Sequence, residues 1–547
     1  MPRAWLLAAA LALLAAKVVA AFTLRVNSDE PQHLHIVWTW TQGLLPYRDV
    51  FDNHAPLFHV LYAPLLAWLG ERADIVDWMR CLVIPWYALC VWLCFRLGRA
   101  LFGRDVGLLG AALLALQPTF FARSTEFRPD DAWAAAWVAA VVIAVEGKPT
   151  PRRSYLCGLL AGLAAAFSIK SAILIVAALC AAAMVLLVLA VERKAPDWRS
   201  TLRVALANAA GGAVLPLAIA GAFVLAGAAN SIFRCLVLYN EAPGLGRWQH
   251  IGFAAWAFPL TAAFCLLALL ALRERLARDL RFAQRAWVFG TALVYLALRG
   301  SYQPLLDRQD VLPIVPMLAP FAAAVIVCAA RRRRGPAIAG AIGVLVIEAA
   351  MTLHSVRPWR GDAAGYAGEL RTLLTLAPRQ AFVMDDKAES IFRQRPVYWL
   401  LENVTLHRLA TGSIPDDIVD GLIDDSVAVG VFERETGADR AFVDTNYVRV
   451  APHVAVLGRD FGVTGAAIEF DVAIAAPYAI VARAGDAVGL LDGARYTGAR
   501  SLAAGPHRFV PDHRDEWALE WAPAVSMGYT PFAAVPAGAA APLAAAR

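Results

Sequence analysis

Hydrophobic runs divide this chain into a long N-terminal part and a shorter C-terminal part. As far as residue 353, stretches of mostly apolar residues follow one another and are separated by short polar loops. A helix of about 20 apolar residues is long enough to cross the hydrocarbon core of a membrane. The pattern therefore predicts about eleven membrane-spanning helices. The predicted spans are 4–24, 75–95, 106–121, 132–145, 155–169, 172–191, 204–226, 251–272, 286–298, 311–330 and 336–353.

Two of the apolar runs have special features. The first has a second interpretation as a cleavable signal peptide, because small residues crowd positions 19–21. The run from 56 to 70 is interrupted by Pro64. We expect that run to be an interfacial helix that lies along the membrane surface.

The composition supports a membrane protein and argues against a soluble enzyme. Hydrophobic residues make up 59% of the 547 positions and charged residues only 17%, which is too apolar for a soluble chain. The net charge of +6 does not indicate nucleic-acid binding, because the basic residues cluster in short loops such as 273–285 and 331–334. Basic loops of membrane proteins tend to face the cytoplasm. The alternation of basic and non-basic loops therefore predicts a cytoplasmic N-terminus and a C-terminal region on the outer side.

The C-terminal part has the pattern of a soluble region. Residues 355–460 mix short apolar stretches with a helix-like segment, KAESIFRQR at 387–395, and a strand-like segment, VYWLL at 397–401, which indicates an α/β domain. Residues 461–547 alternate short strands with Gly, Asp and Pro turns, which predicts a β-sandwich with a disordered tail. No cysteine follows Cys328, so this region has no disulfide framework.

The loop after the first span, residues 25–74, is rich in charged and aromatic residues. Asp29 and Glu30 follow the apolar run almost directly. An ionised carboxylate close to membrane depth is costly to remove from water, and such groups are therefore functional-site candidates. The alternative is a solvated amphipathic loop with no role in chemistry.

The same loop resembles a known family. The acidic pair is followed by the pattern G-x-x-PY-R-D-x-F-x-x-H-x-PL, which is similar to the first periplasmic loop of GT-C glycosyltransferases. The closest branch contains the protein O-mannosyltransferases and the lipid A aminoarabinose transferases. The matching residues are Asp29, Glu30, Gly43, Pro46, Tyr47, Arg48, Asp49, Phe51, His54, Pro56 and Leu57.

The resemblance implies a fold, an activity and a location. The fold would be a polytopic α-helical membrane protein of the GT-C type, with residues 1–354 as the catalytic transmembrane domain and the α/β and β-sandwich domains periplasmic. The activity would be transfer of a hexose or pentose, with inversion, from a polyprenyl-phosphate carrier to an envelope glycan, lipid or protein. The Ala- and Arg-rich composition suggests a bacterial source, so we expect the inner membrane.

Candidate site residues lie in four outer loops. In the family the catalytic acid occupies the first position of the first loop, so the resemblance implies that Asp29 is the catalytic base. A cation would stabilise the departing phosphate. Lys170 and Arg308 are the best candidates for it, and Arg128 is a further candidate. The predicted substrate-binding residues are Glu30, His33, Tyr47, Arg48, His54, Arg128, Asp130, Asp131, Lys170, Tyr302, Gln303 and Arg308.

Several of these residues also have purely structural interpretations. Asp130 could cap the helix that follows it, Lys170 could extend its ammonium group to the interface without touching a ligand, and Arg308 could pair with a neighbouring aspartate in its own loop. Glu30 and His33 lie one turn apart and could bind a divalent metal ion with Asp29. The branch generally works without a metal, and we expect no cofactor.

Two other classes of function fit a protein of this shape. A transporter or flippase of lipid-linked saccharides would show charges near mid-membrane and two related halves with interrupted helices. A non-catalytic sugar sensor would bind through its β-sandwich and would tolerate a neutral replacement of Asp29. In either case the bilayer is a partner and nucleic acid is not.

Overall fold

The computed structural model is mainly helical as far as residue 356 and contains all the β-strands after it. It describes residues 3–246, 251–302, 305, 307–361 and 363–532. The helices are α1 (Arg3–Thr23), α2 (Asp29–Thr41), α3 (Leu57–Leu69), α4 (Ile75–Phe102), α5 (Arg104–Leu116), α6 (Pro118–Arg123), α7 (Asp130–Val145), α8 (Pro151–Phe167), α9 (Ser171–Val191), α10 (Trp198–Leu225), α11 (Ala229–Phe233), α12 (Ile251–Ala271), α13 (Arg273–Arg278), α14 (Leu280–Tyr302), α15 (Val315–Arg332), α16 (Arg334–Val356), α17 (Ala363–Leu376), α18 (Asn403–Ala410), α19 (Ile418–Asp424), α20 (Gly437–Asn446) and α21 (Ala522–Ser526).

Helices occupy all of the predicted spans, so the polytopic helical fold is confirmed. By length and hydropathy alone, α4, α9, α10, α15 and α16 are long and apolar enough to cross a membrane. The predicted span 106–121 is broken into α5 and α6 at Gln117, which has an extended backbone because Pro118 follows it. The Gln117 side chain then caps α6 by accepting a hydrogen bond from the Phe120 N–H.

Basic residues from successive loops meet at one end of the helix bundle. Arg285 donates to the Leu101 carbonyl at 2.6 Å, Arg281 donates to the Val145 carbonyl at 3.0 Å, and Arg96 pairs with Glu146. The 28 residues of α4 give it a length of about 42 Å. The N-terminal ends of α4 and α7 therefore lie at the opposite end of the bundle, and we call that end the site end.

Glycines allow two of the long helices to pack closely. A Cβ atom at Gly158 of α8 would lie 1.9 Å from the Asn208 carbonyl oxygen in α10, and a Cβ atom at Gly211 of α10 would lie 2.1 Å from the Tyr155 carbonyl oxygen in α8. Small residues at such positions let helix backbones approach each other within a membrane.

The C-terminal strands form two sheets. One sheet has seven strands in the order β1-β2-β4-β11-β6-β9 with β3 also on β4, and the other has the order β5-β10-β7-β8. Among the strands of the described residues, only β1 and β2 pair in parallel. The strands are β1 (Val383–Met384), β2 (Val429–Gly430), β3 (Tyr447–Arg449), β4 (Ala455–Thr464), β5 (Ile468–Val472), β6 (Ala476–Ala482), β7 (Gly489–Leu491), β8 (Ala494–Arg495), β9 (Arg500–Leu502), β10 (Gly505–Pro511) and β11 (Asp515–Trp521).

The two sheets share one core, in which the rings of Phe509 from β10 and Trp517 from β11 lie 5.4 Å apart. The predicted domain boundary at residue 460 falls inside β4. Residues 455–457 of this strand pair with β2 and β3, and residues 458–464 pair with β11. Sheet pairing therefore joins the two predicted soluble units. The predicted disordered tail, from residue 533, lies outside the described residues.

The predictions of a helix at 387–395 and of a strand at 397–401 are wrong. Residues 387–393 form turns and bends, because the Asp385 carboxylate accepts hydrogen bonds from the backbone N–H groups of Ala388 and Ser390. Gln394 then forms an isolated bridge with Phe382. Such local side-chain acceptors compete with helical hydrogen bonding. Ala388 and Ile391 also adopt left-handed backbone conformations, with φ of 61° and 50°, which a helix excludes.

We predict that Gly211→Ala destabilises the helix bundle, whereas Gly221→Ala in the same helix does not. The new methyl group at position 211 would overlap the α8 backbone, but a Cβ atom at position 221 meets nothing within 4 Å. Alanine at an exposed helical position should stabilise by up to about 1 kcal/mol. Melting temperatures of the purified variants in detergent measure the difference, and equal melting temperatures would contradict the packing described here.

Candidate active site

A cavity of about 1400 Å³ lies at the site end of the bundle and is the candidate active site. We call it the main cavity. Its walls come from the bundle, from the first loop and from the C-terminal region. Its charged and polar lining residues include Asp29, His54, Arg123, Arg128, Asp130, Lys170, Arg299, Tyr302, Arg308, Asp310, Lys387, Glu402 and Arg434.

Asp29 is the first residue of α2 and is held from two sides. Its Oδ2 accepts a charge-assisted hydrogen bond from Arg128 at 2.5 Å, and its Oδ1 is bound by the Lys387 ammonium group. Burial alone would raise the pKa of Asp29, but Lys387 and Arg128 together hold it well below its usual value. The carboxylate is therefore ionised at neutral pH.

Asp29 belongs to a series of alternating ion pairs, which we call the charge chain. Arg128, which binds Asp29, also binds Asp130 at 3.1 Å. Lys170 lies 3.6 Å from Asp130 and 2.6 Å from Asp310. Except for Arg128 and Asp130, which lie two residues apart, each link joins residues on different elements of the structure. The full series is Lys387, Asp29, Arg128, Asp130, Lys170, Asp310 and Arg299.

The charge chain bears on the two structural interpretations of Asp130 and Lys170. Asp130 makes no side-chain capping hydrogen bond at the start of α7, because its carboxylate is turned toward Arg128 and Lys170. Lys170 does not extend away to the interface, because its ammonium group is bound to Asp310. Both residues line the main cavity, as the sequence-based hypothesis requires.

Arg299 is a site residue that the sequence did not reveal. Its guanidinium binds Asp310 Oδ2 at 2.6 Å, and the neighbouring Tyr295 hydroxyl donates to the Asp310 carbonyl oxygen. Burial would raise the pKa of Asp310, but Lys170 and Arg299 lower it below its usual value. The predicted span ended at residue 298, and an arginine at a span end is ordinarily interpreted as an interface anchor.

Arg308 lines the cavity and is exposed. The structure does not support a pairing with its neighbours, since Asp307 lies 3.9 Å from Arg123 and Asp310 is bound by Lys170 and Arg299. Within the described part of the chain, no carboxylate pairs with the Arg308 guanidinium. Tyr302 lines the same wall and donates its hydroxyl to the Ala255 carbonyl, whereas Gln303 lies outside the described residues.

Glu30 does not line the main cavity. Its two carboxylate oxygens bind the Arg80 guanidinium at 2.6 and 2.7 Å, and both side chains are fully buried. Arg80 also donates to the carbonyls of Ala21 and Leu24, and the Phe127 N–H donates to Glu30. Glu30 therefore joins the end of α1, the start of α4 and the loop before α7, which is a structural role.

Tyr47 and Arg48 also lie away from the cavity. The Tyr47 ring is buried, its hydroxyl donates to the His54 carbonyl at 2.6 Å, and its φ of 70° marks a tight turn. Arg48 is exposed and pairs with its neighbour Asp49. Neither residue has the position of a substrate ligand, although Tyr47 holds the chain that carries His54.

His54 is the histidine of the first loop that reaches the cavity. Its Nδ1 lies 3.0 Å from the buried Asp52 carboxylate. Asp52 was not among the predicted site residues. His33 is buried behind it, with its Nδ1 3.0 Å from His59 Nε2. Burial lowers the pKa of His33, and the neighbouring histidines lower it further, so this ring is neutral at pH 7.

A metal site built from Asp29, Glu30 and His33 does not fit the geometry, because both carboxylates are occupied by cationic side chains. No group of three or more potential ligands among the described residues could hold a metal ion.

Asp131 is buried next to Asp130 but does not line the cavity. Its carboxylate oxygens have no hydrogen-bond partner in the described part of the chain.

Lys387 comes from the C-terminal region and was missed at the sequence level. It lies in the segment Asp385–Arg395, whose two ends are joined by an ion pair between Asp385 and Arg395 at 2.8 Å. The segment contacts the first loop where His35 Nδ1 lies 2.9 Å from the Ile391 carbonyl oxygen. The local sequence MDDKAES contains no motif that identifies a lysine of an active site. Only tertiary packing brings it to Asp29.

Comparisons with known proteins agree with this architecture. ArnT from Cupriavidus metallidurans in the apo state is similar with a TM-score of 0.57 and 12% identity, over 83% of this chain and 98% of that one. The same protein bound to undecaprenyl phosphate matches with a TM-score of 0.57, 13% identity and the same coverage. The chain has the GT-C fold. The fold that the resemblance of the first loop implies is thereby confirmed.

Other matches to this chain are partial or have lower structural similarity. The model of the dolichyl-phosphate-mannose-protein mannosyltransferase family matches residues 53–228. The Archaeoglobus fulgidus oligosaccharyltransferase tethered to an acceptor peptide has a TM-score of 0.43 and 12% identity, over 70% of this chain and 63% of that one. No curated protein matches the chain.

We predict that Glu30→Gln destabilises the GT-C bundle by about 3 kcal/mol, because it leaves the buried Arg80 guanidinium without its carboxylate. Asp49→Asn in the same loop breaks an exposed pair and should change stability by less than about 1 kcal/mol. Denaturant unfolding of both variants in detergent measures the two effects. A Glu30 variant as stable as the Asp49 variant would refute the structural role of Glu30.

Proposed function

We propose that this protein is an integral-membrane glycosyltransferase that moves a hexose or pentose from a polyprenyl-phosphate carrier to an acceptor in the cell envelope. The observation that carries the proposal is the main cavity, in which the ionised Asp29 lies among cationic side chains at one end of a membrane bundle. The acceptor would be a glycan, a lipid or a protein with a nucleophilic oxygen.

The cations of the cavity suit a donor with a lipid-linked phosphate. Departure of the phosphate builds negative charge, and a cation at that position lowers the barrier. Arg308 is the best candidate, because Lys170 is already bound to two carboxylates. The structure of ArnT with undecaprenyl phosphate supports a carrier of this class.

Asp29 is the proposed general base. The acceptor oxygen attacks C1 of the sugar on the face opposite the phosphate, and Asp29 takes the hydroxyl proton. The bond between C1 and the phosphate oxygen breaks, and polyprenyl phosphate leaves with the electron pair. A single displacement of this kind inverts the configuration at C1. If the acceptor is itself a phosphate, it is already ionised and Asp29 positions it.

We assign the cavity to the periplasmic side of a bacterial inner membrane, with the N-terminus in the cytoplasm. The basic loops around Arg281 and Arg285 gather at the opposite end of the bundle, and basic loops tend to remain in the cytoplasm. The C-terminal domain, which contributes Lys387 to the cavity, is then periplasmic.

We predict that Asp29→Asn lowers sugar transfer by at least about a hundredfold, because a positioned general base typically contributes that much. Mass spectrometry of lipid-linked sugars and envelope glycans would compare a deletion strain with strains that carry the wild type, Asp29→Asn or Asp49→Asn at equal membrane abundance. The deletion and the Asp29 variant should accumulate the donor and lose one sugar from an envelope polymer. Normal glycans in the Asp29 variant would remove its catalytic role, and transport or sensing would then be favoured.

We predict that Arg308→Met weakens the binding of undecaprenyl phosphate about tenfold, because it removes a charge-assisted hydrogen bond to phosphate. Binding is measured on purified protein in nanodiscs at fixed ionic strength. Arg483→Met, which removes an exposed arginine paired with Glu516 in the β-sandwich, serves as the control. Equal affinities of the two variants would exclude Arg308 from the donor site.

A further inference from the structure

The C-terminal domain contributes charged side chains to the main cavity, and Lys387 is the most deeply placed of them. Lys387 is 6% exposed, and its ammonium group binds Asp29 and lies 3.4 Å from the Ser28 hydroxyl. Glu402, Asn403 and Arg434 of the same domain line the cavity beside it. The cavity is thus formed jointly by the bundle and this domain.

The backbone that carries Lys387 is fixed in place. The Asp385 carboxylate accepts hydrogen bonds from Ala388 and Ser390 and pairs with Arg395. The Lys387 N–H itself donates to the Glu389 carboxylate at 2.6 Å. Only the flexible side chain beyond Cβ is free to change position, which is the property that distinguishes lysine from the planar, bidentate arginine.

The ion pairs of Asp29 create a chemical conflict for a general base. A base must present an oxygen to the proton it accepts, but Oδ1 is bound by Lys387 and Oδ2 by Arg128. Arg128 is held by further carboxylates, Asp130 at 3.1 Å and Glu126 at 3.8 Å. Among the described residues, the Lys387 ammonium group makes hydrogen bonds only to Asp29 and the Ser28 hydroxyl. The nearby Glu402 carboxylate attracts it through charge without a hydrogen bond. Lys387 is therefore the partner that can leave.

We propose that Lys387 is a positioning residue that exchanges partners during transfer: it leaves Asp29 Oδ1 for the phosphate of the bound donor, and this frees Oδ1 to take the proton of the acceptor. The proposal rests on the glycosyltransferase function proposed above. Because Lys387 keeps its positive charge throughout, the step adds no oxidant, reductant or extra proton. The acceptor proton ends on Asp29, and the phosphate leaves paired with Lys387.

The exchange predicts a specific pH behaviour. The charged and titratable groups around Asp29 are Lys387, Arg128, His33 and Glu402. Removal of the Lys387 charge takes away one of the two cations that lower the pKa of Asp29, so the pKa must rise. A base works in its deprotonated form, and the acidic limb of its rate profile therefore moves to higher pH when its pKa rises.

The experiment supplies a total envelope extract of a deletion strain, which should contain both accumulated donor and unmodified acceptor. Release of polyprenyl phosphate from this extract is measured with purified wild-type protein and with Lys387→Met in nanodiscs. The pH profile of kcat/KM reports the free enzyme, and that of kcat reports the substrate complex. We expect Lys387→Met to move the acidic limb of kcat/KM to higher pH and to leave the limb of kcat unchanged. A static ion pair would move both limbs, and a merely structural lysine would move neither; each of these outcomes overturns the proposal.

Binding of undecaprenyl phosphate gives a second readout that does not depend on turnover. We expect Lys387→Met to weaken it about tenfold, Lys387→Arg to retain most of it, and Lys194→Met, at an exposed position of another loop, to leave it unchanged. Wild-type affinity in a folded Lys387→Met protein would overturn the exchange. If the wild type neither binds undecaprenyl phosphate nor releases it, the glycosyltransferase function itself is wrong.

The pairing can also be tested if Lys387→Met folds poorly. Asp29→Asn leaves the Lys387 ammonium buried without its carboxylate, which is destabilising. Addition of Lys387→Met to Asp29→Asn should then recover part of the lost melting temperature. A double variant that loses the sum of the two single effects would show that the residues are not coupled, and the exchange would have no basis.

Discussion

The charge chain from Lys387 to Arg299 is the constraint on which the cavity depends. Ionised groups in a poorly hydrated region are stable only when each has an opposite partner and hydrogen bonds. Every carboxylate of the chain lies between two cations, and the residues come from the first loop, the start of α7, the start of α9, the end of α14 and the C-terminal domain. The shared ion pairs therefore also fix the relative positions of these elements.

A second, separate ion pair holds the frame around the cavity. Glu30 and Arg80 are fully buried and bind carbonyl groups at the end of α1 as well as each other. Adjacent acids in one sequence motif thus have different tasks: Glu30 holds the first loop against the bundle, whereas Asp29 faces the cavity. The helix geometry of α2 explains the separation, because consecutive residues of a helix point about 100° apart.

The proposed reaction requires Asp29 to give up an ion pair that stabilises the protein in the absence of substrate. Asp29 is most stable when both of its oxygens are bound, but it can act as a base only when one of them is released. A lysine on a flexible stem is suited to such an exchange, and its placement on a separate domain ties the chemistry of the bundle to the C-terminal region. In the proposed reaction, the C-terminal domain belongs to the catalytic unit.

The sequence by itself determined the membrane bundle, the β-rich C-terminal region, the family resemblance and the cavity positions of Asp29, Arg128, Asp130, Lys170 and Arg308. These follow from local signals: apolar runs of membrane length, and charges placed directly at their ends. Only the tertiary structure separated Asp29 from Glu30, removed Tyr47 and Arg48 from the cavity, and brought in Arg299 and Lys387. Ion pairs between residues as distant as 29 and 387 depend on how helices and domains pack, and no spacing along the chain encodes that packing.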